Sequence, residues 1–174
     1  VVSIGADSKR DFSLLIEFAR CHPNTSARII TTAARAQELG EMPHNLELLT
    51  EVPFNAIPGH LASARVVALP LKQNSYSGAI TTLLQAMAMA KPVVVSEVGA
   101  IKEGYNMQNE VNIKLVKPGD FDDFEHAIRT FLENPKSAQA IGAAARKTVV
   151  ENLSWNRYVE ALLCLFDEAI GLNH

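Results

Sequence analysis

The chain has 174 residues, with 16 Lys and Arg against 19 Asp and Glu and a formal net charge of −3. Hydrophobic residues make up 48% and charged residues 20%, enough apolar material for a sizeable single core. That charge balance excludes a nonspecific nucleic-acid binder, and no apolar run approaches the roughly 20 residues of a membrane helix.

The apolar, β-branched runs predict strands at Val1 to Ile4, Ala27 to Thr31, Leu46 to Thr50, Arg65 to Leu69, Pro92 to Ser96 and Val111 to Val116. Several are continuously apolar, as suits strands covered on both faces of a parallel sheet. Helical stripes lie between them. Phe12, Leu15, Ile16 and Ala19 share one face after Asp11, and Ile80, Leu83, Leu84, Met87 and Ala88 share another in a helix expected to be deeply buried. Asp120 is placed to cap a stripe of Phe121, Phe124, Ile128, Phe131 and Leu132. Asn134-Pro135 reads as a cap followed by proline at the first helical position. Ser154 would cap a closing helix over residues 154–171, with Trp155, Tyr158, Val159, Leu162, Phe166, Ala169 and Ile170 on one face, read mostly as ordinary packing.

Strand and helix alternate through about six strands. This predicts an α/β fold: a Rossmann-like open parallel sheet with helices on both faces, in one domain over residues 1–174. The start at Val1-Val2-Ser3-Ile4-Gly5, inside an apolar strand and without Met, leads us to expect a piece cut at a domain boundary. No basic segment followed by an apolar stretch marks a signal peptide there. Cys21 and Cys164 belong to no CxxC or Cys/His pair, which argues against a disulfide framework or zinc site and for a reducing, cytoplasmic setting.

In open α/β sheets ligands bind beyond the carboxyl ends of the strands. The loop after the first strand, Gly5-Ala6-Asp7-Ser8-Lys9-Arg10, is not GxGxxG, and GxxxxGK[ST] is absent, so a nicotinamide dehydrogenase and a P-loop nucleotidase are disfavoured. A phosphoacceptor receiver domain would need an acidic cluster, for which Asp7 is a lone candidate. What remains is a phosphate site in two pieces. Lys9 and Arg10 could neutralise a diphosphate, or form a solvated basic pair whose charge opposes the helix dipole. Ser75-Tyr76-Ser77-Gly78-Ala79-Ile80-Thr81-Thr82 leads into the apolar helix. There the amides of Gly78, Ala79, Ile80 and Thr81 could meet an anion, or Ser77 could simply cap the helix.

The segment Leu83-Leu84-Gln85-Ala86-Met87-Ala88-Met89-Ala90-Lys91-Pro92-Val93-Val94-Val95-Ser96 resembles the "LLEAMAxGKPVVAT" stretch of glycosyltransferases with the GT-B fold, of the group 1 type. Gly5 with Lys9-Arg10-Asp11 resembles the Gly-Arg…Lys region of their donor domain. Residues 65–71 resemble "ADVVVLPS", residues 115–120 "GLLVxPGD", and Leu153-Ser154-Trp155 "FSW". The match runs along essentially the whole chain. The resemblance implies the C-terminal, nucleotide-sugar-binding domain of a two-domain enzyme, whose N-terminal acceptor domain is absent from this chain and would carry the catalytic residues. It implies transfer of a sugar from a nucleoside diphosphate to a saccharide or lipid-linked acceptor, no metal or other cofactor, and peripheral association of the full-length protein with the cytoplasmic face of a membrane. No nucleic-acid partner is expected.

Carried over by position, Gly5, Lys9 and Arg10 face the diphosphate, and the amides from Gly78 to Thr81 take its distal phosphate. The loop with Glu51, Val52 and Pro53 borders the base. Two family glutamates correspond to Ser77 and Gln85, the latter at the ribose position, and the family glycine before Lys-Pro is Ala90. Glu103 matches a "GGxxE" position or answers a helix dipole. The five histidines, His22, His44, His60, His126 and His174, show no metal-ligand spacing. Two rival readings stand beside this one: a nucleotide-sugar epimerase on the same scaffold, and a non-catalytic binding module, which the residues at 77 and 85 would favour.

Overall fold

The computed structural model describes residues 1–76, 78–99, 101 and 105–171. Six parallel strands form one sheet: β1 (Val2–Ile4), β2 (Ala27–Thr31), β3 (Leu46–Thr50), β4 (Val67–Leu69), β5 (Val93–Ser96) and β6 (Lys114–Val116). Their spatial order is β3-β2-β1-β4-β5-β6. The expected Rossmann-like sheet is what forms. The β2 and β3 boundaries match the apolar runs, whereas β4, β5 and β6 start later than expected. The last case has a local cause. Asn112 is buried and its side-chain amide bonds to Asn106 O and to Thr148 Oγ1, while its Oδ1 accepts from Gln108 N. That turn consumes residues that otherwise read as strand.

Adjacent strand residues serve opposite faces. Val67, Leu69, Val93 and Val95 join a core with α3 (Ile57–Ser63) and α4 (Ile80–Ala88). Ala68 and Val94 join the opposite core with α1 (Phe12–Cys21) and α5 (Phe121–Glu133). Both faces are covered, which explains why the strands read as unbroken apolar runs. The short α2 (Ala33–Gln37) follows β2, and a single 3-10 turn (Phe54–Ala56) precedes α3. Helix α6 (Pro135–Asn152) reaches from one layer to the other, with Ala138 in one core and Ala145 in the other. At its middle, Gly142 lies so close to Ala90 that a Cβ would sit 2.2 Å from the Ala90 carbonyl oxygen.

The caps divide. Asp120 accepts from Asp123 N at 3.0 Å, and Ser154 accepts from Arg157 N at 3.4 Å, as the sequence suggests. Asn134 stands at the start of α6 but makes no side-chain cap; its amide instead donates to Thr130 O at the end of α5. Helix α4 is less deeply set than expected. Leu83, Ala86 and Met87 are buried, whereas Ile80, Leu84 and Ala88 are half-buried. The largest departure is α7 (Trp155–Ala169), which buries none of its residues, so its apolar stripe is not ordinary packing. Trp155 is 75% exposed and Phe166 55%. Both cysteines are free and exposed.

Candidate functional site

Strand order reverses between β1 and β4, so the chain leaves their carboxyl ends in opposite directions, and between the departing segments lies the place where open α/β sheets hold ligands in a crevice. Main-chain bonds join its two lips. Asp11 N donates to Pro70 O at 2.9 Å and Lys72 N to Lys9 O at 2.8 Å. Beside them, the buried Ser96 at the end of β5 accepts from Leu71 N at 2.9 Å. The segment after β1 is thereby laid against the segment leading into α4.

Arg10 is the centre of this arrangement. It is only 2% exposed. Its guanidinium lies against Gly5, where a Cβ would be 2.1 Å from Nε, so residue 5 must be glycine for Arg10 to fold inward. Nη2 donates to Thr82 Oγ1, in the first turn of α4, across a long 3.5 Å. Nε and Nη1 are buried with no hydrogen-bond partner among the described residues. Burial lowers the guanidinium to about 10, against the pull of Asp7 and Tyr76 that favours its charge. It therefore stays cationic at neutral pH. A buried cation with unsatisfied donors is costly by itself and becomes favourable when an anion supplies the acceptors.

Asp7 stands beside it. Its Oδ1 accepts from Lys9 N at 2.6 Å and from the Tyr76 hydroxyl at 2.7 Å. A Cβ on Gly78 would lie 2.6 Å from Asp7 Oδ2 and 2.8 Å from the Tyr76 ring, so glycine admits both groups to the approach of α4. Burial works against the charged carboxylate. The bonds from Tyr76 and Lys9 N and the charges of Arg10 and Arg35 outweigh it and hold Asp7 below its ordinary value. The same bond to Asp7, with burial, pushes Tyr76 up.

The start of α4 supplies further donors. Its N-cap position is Ala79, which has no side-chain acceptor, and the helical ladder begins with Leu83 N to Ala79 O at 3.0 Å. The first-turn amides at residues 80–82 thus have no acceptor within the helix, and the helix dipole adds partial positive charge. Gln85 lies one turn beyond Thr82 and is half-buried.

The two pieces picked out in the sequence do come together, but not every residue within them does. Lys9 and Arg10 differ in setting: Arg10 is buried and Lys9 is exposed. Val52 is at the carboxyl end of β3, two strands from β1 or roughly 10 Å away by strand spacing, with its side chain packed on the apolar core. Ser77, Glu103 and His174 lie outside the described residues. The sequence marked Asp7 only as a lone phosphoacceptor candidate and Tyr76 and Thr82 only as members of the segment before α4, and it did not show their contacts with one another or with Arg10. The available signal was an Asp two positions before the backbone N–H it accepts, a common turn device. Of the histidines, His22 bonds Glu125 at 2.7 Å and His60 bonds Arg28 at 3.1 Å, away from the crevice. Among the described residues no group of three His, Cys, Asp or Glu is arranged to hold a metal.

Comparison with known proteins gives the family. Residues 13–134 match the family described as "Glycosyl transferases group 1". Over 111 residues the chain is 30% identical to the MMP alpha-(1->4)-mannosyltransferase of Mycolicibacterium hassiacum, a match covering 64% of this chain and 26% of that protein. It is 27% identical over 152 residues to the GDP-mannose-dependent alpha-(1-6)-phosphatidylinositol monomannoside mannosyltransferase of Mycolicibacterium smegmatis, covering 81% of this chain and 39% of that one. Among solved structures, sucrose-phosphate synthase from Thermosynechococcus elongatus superposes with a TM-score of 0.79 at 17% identity, over 99% of this chain and 46% of that one. The chain thus spans less than half the length of each of these proteins. On the extent of the family match and the shared sheet, the chain belongs to the glycosyl transferases group 1 family.

Proposed function

We propose that this chain is the donor-binding half of a glycosyltransferase, holding a nucleoside-diphosphate sugar by its diphosphate in the crevice between β1 and α4. The observation that carries this reading is Arg10: a buried guanidinium, two of its nitrogens without a partner among the described residues, set beside the start of α4, where Ala79 offers no side-chain cap. In the transfer, the bond from the sugar's anomeric carbon to the diphosphate oxygen breaks and a bond to an acceptor oxygen forms. Negative charge grows on the departing diphosphate. Arg10 and the α4 amides are donors fixed in advance around that charge, which is how a site stabilises a leaving group without a metal ion. We assign Gln85, one turn beyond Thr82 on α4, to a ribose hydroxyl, and the Val52 loop, at the carboxyl end of β3, to the side of the base.

The acceptor, read as a saccharide or lipid-linked glycan, and any catalytic base belong in this proposal to an N-terminal domain outside the chain. No described helix is long and apolar enough to cross a membrane; a place at the cytoplasmic face of one is part of the same proposal. The Mycolicibacterium smegmatis relative is named for GDP-mannose, which makes GDP the first ligand to test, with UDP and ADP beside it. Calorimetric titration of the purified protein should detect one of the three. Arg10→Ala should weaken it about 100-fold, the scale of lost charge-assisted hydrogen bonds, and Lys9→Ala only two- to threefold, the scale of an exposed charge. Undiminished binding by Arg10→Ala would remove the assignment.

A further inference from the structure

The crevice built for an anion already contains one. Asp7 Oδ1 is fastened by Lys9 N and the Tyr76 hydroxyl, and its other oxygen faces the glycine that opens the way to α4. Arg10 stabilises the Asp7 charge, and Asp7 in turn favours the charged form of Arg10. Yet no hydrogen bond joins them: among the described residues Nε and Nη1 of Arg10 have no partner. A carboxylate near a buried guanidinium without bonding it lowers the cost of the buried charge while leaving its donors free. It also repels any second anion brought to the same place.

We propose that Asp7, held by Tyr76, is a built-in counter-anion of the diphosphate site that keeps affinity for the diphosphate low enough for the product nucleotide to leave. The inference rests on the donor-binding reading above and adds a residue that acts through charge on binding and release. As the diphosphate approaches, its charge and that of Asp7 compete for the same cation and the same helix start. Tyr76 sets how firmly Asp7 holds its ground, because its hydroxyl donates to the carboxylate. Neither residue takes part in bond making.

The test is Asp7→Asn, which keeps the side chain's size and its acceptor for Lys9 N and Tyr76 but removes the charge. Affinity and dissociation rate are measured by calorimetry and stopped flow for the nucleoside diphosphate the wild-type protein binds best, and for inorganic pyrophosphate, which has no base or ribose. Asp7→Asn should bind both about tenfold more tightly, mostly through slower dissociation, as expected for removing one repulsive charge in a partly screened crevice. Tyr76→Phe, which leaves the charge but frees it, should shift both ligands the same way by about two- to threefold. Unchanged or weaker binding by Asp7→Asn, with its melting temperature retained, would make Asp7 a brace for the loop and overturn the inference. A gain for the nucleotide without one for pyrophosphate would also overturn it, since the effect would then not lie at the phosphates. A wild-type protein that binds neither ligand defeats the donor-binding reading itself, a result separate from any effect of the substitutions.

Discussion

Two regions of this molecule break the usual partition of polar and apolar groups in opposite ways. In the crevice between β1 and α4 a guanidinium is hidden from solvent without a full set of acceptors among the described residues. On α7 an apolar stripe is open to solvent, with Trp155, Tyr158 and Phe166 each more than half exposed. The first is a localised electrostatic deficit that one small anion can satisfy. The second is an extended apolar surface that only a comparably broad surface can cover. The contrast teaches that an unsatisfied feature announces the size and chemistry of what completes it.

Substitutions can press that contrast from both sides. The largest expected effect is the approximately 100-fold loss of diphosphate affinity in Arg10→Ala. Arg10→Met should sharpen the point by moving stability and binding apart. Removing a buried, under-satisfied charge while keeping apolar volume should raise unfolding stability without ligand by about 1–2 kcal/mol, even as binding is lost. Chemical denaturation of the ligand-free protein checks it, and a clear loss of stability would mean that Arg10 is a structural fastening.

A control comes from the other end of α4. Ala90 has φ +55°, with Lys91 N donating to Ala86 O at 3.0 Å and Ala90 N to Met87 O at 2.9 Å. That is a helix ending which favours glycine. Ala90→Gly should add about 1 kcal/mol to stability by relieving the left-handed strain and leave nucleotide affinity unchanged. A matching gain in affinity would show that binding merely follows stability and would blur the contrast. The smallest effect belongs to α7. Phe166→Ser should change the stability of the chain alone by less than about 0.5 kcal/mol, since its side chain loses little burial there. A larger loss in denaturant melts would place α7 in the core after all.

How far the sequence could be read follows from the kind of interaction that decides each part. The strands were legible because covering by helices on both faces demands unbroken apolar runs such as Val93 to Val95. The caps at Asp120 and Ser154 were legible because a single side chain and its own helix settle them. Asn134 has the same local form, but the carbonyl of Thr130 competes for its side chain. Helix α7 shows the same limit at larger scale: periodicity reveals that a helix has an apolar face, but not whether anything lies against it. At the site, Arg10 was visible as a cation after the first strand. Its burial was not, because the room for it comes from Gly5, five positions back. Asp7 and Tyr76 meet across 69 positions of sequence, a pairing no local pattern encodes.

The ties between the crevice's two lips run from Asp11 N to Pro70 O and from Lys72 N to Lys9 O, atoms every amino acid possesses apart from proline's missing N–H. These two ties are therefore indifferent to side-chain identity, whereas Gly5 and Gly78 must stay small for Arg10, Asp7 and Tyr76 to pack between them. Exposed residues around the opening can be exchanged while those ties keep the scaffold's shape, a separation of chassis from fittings.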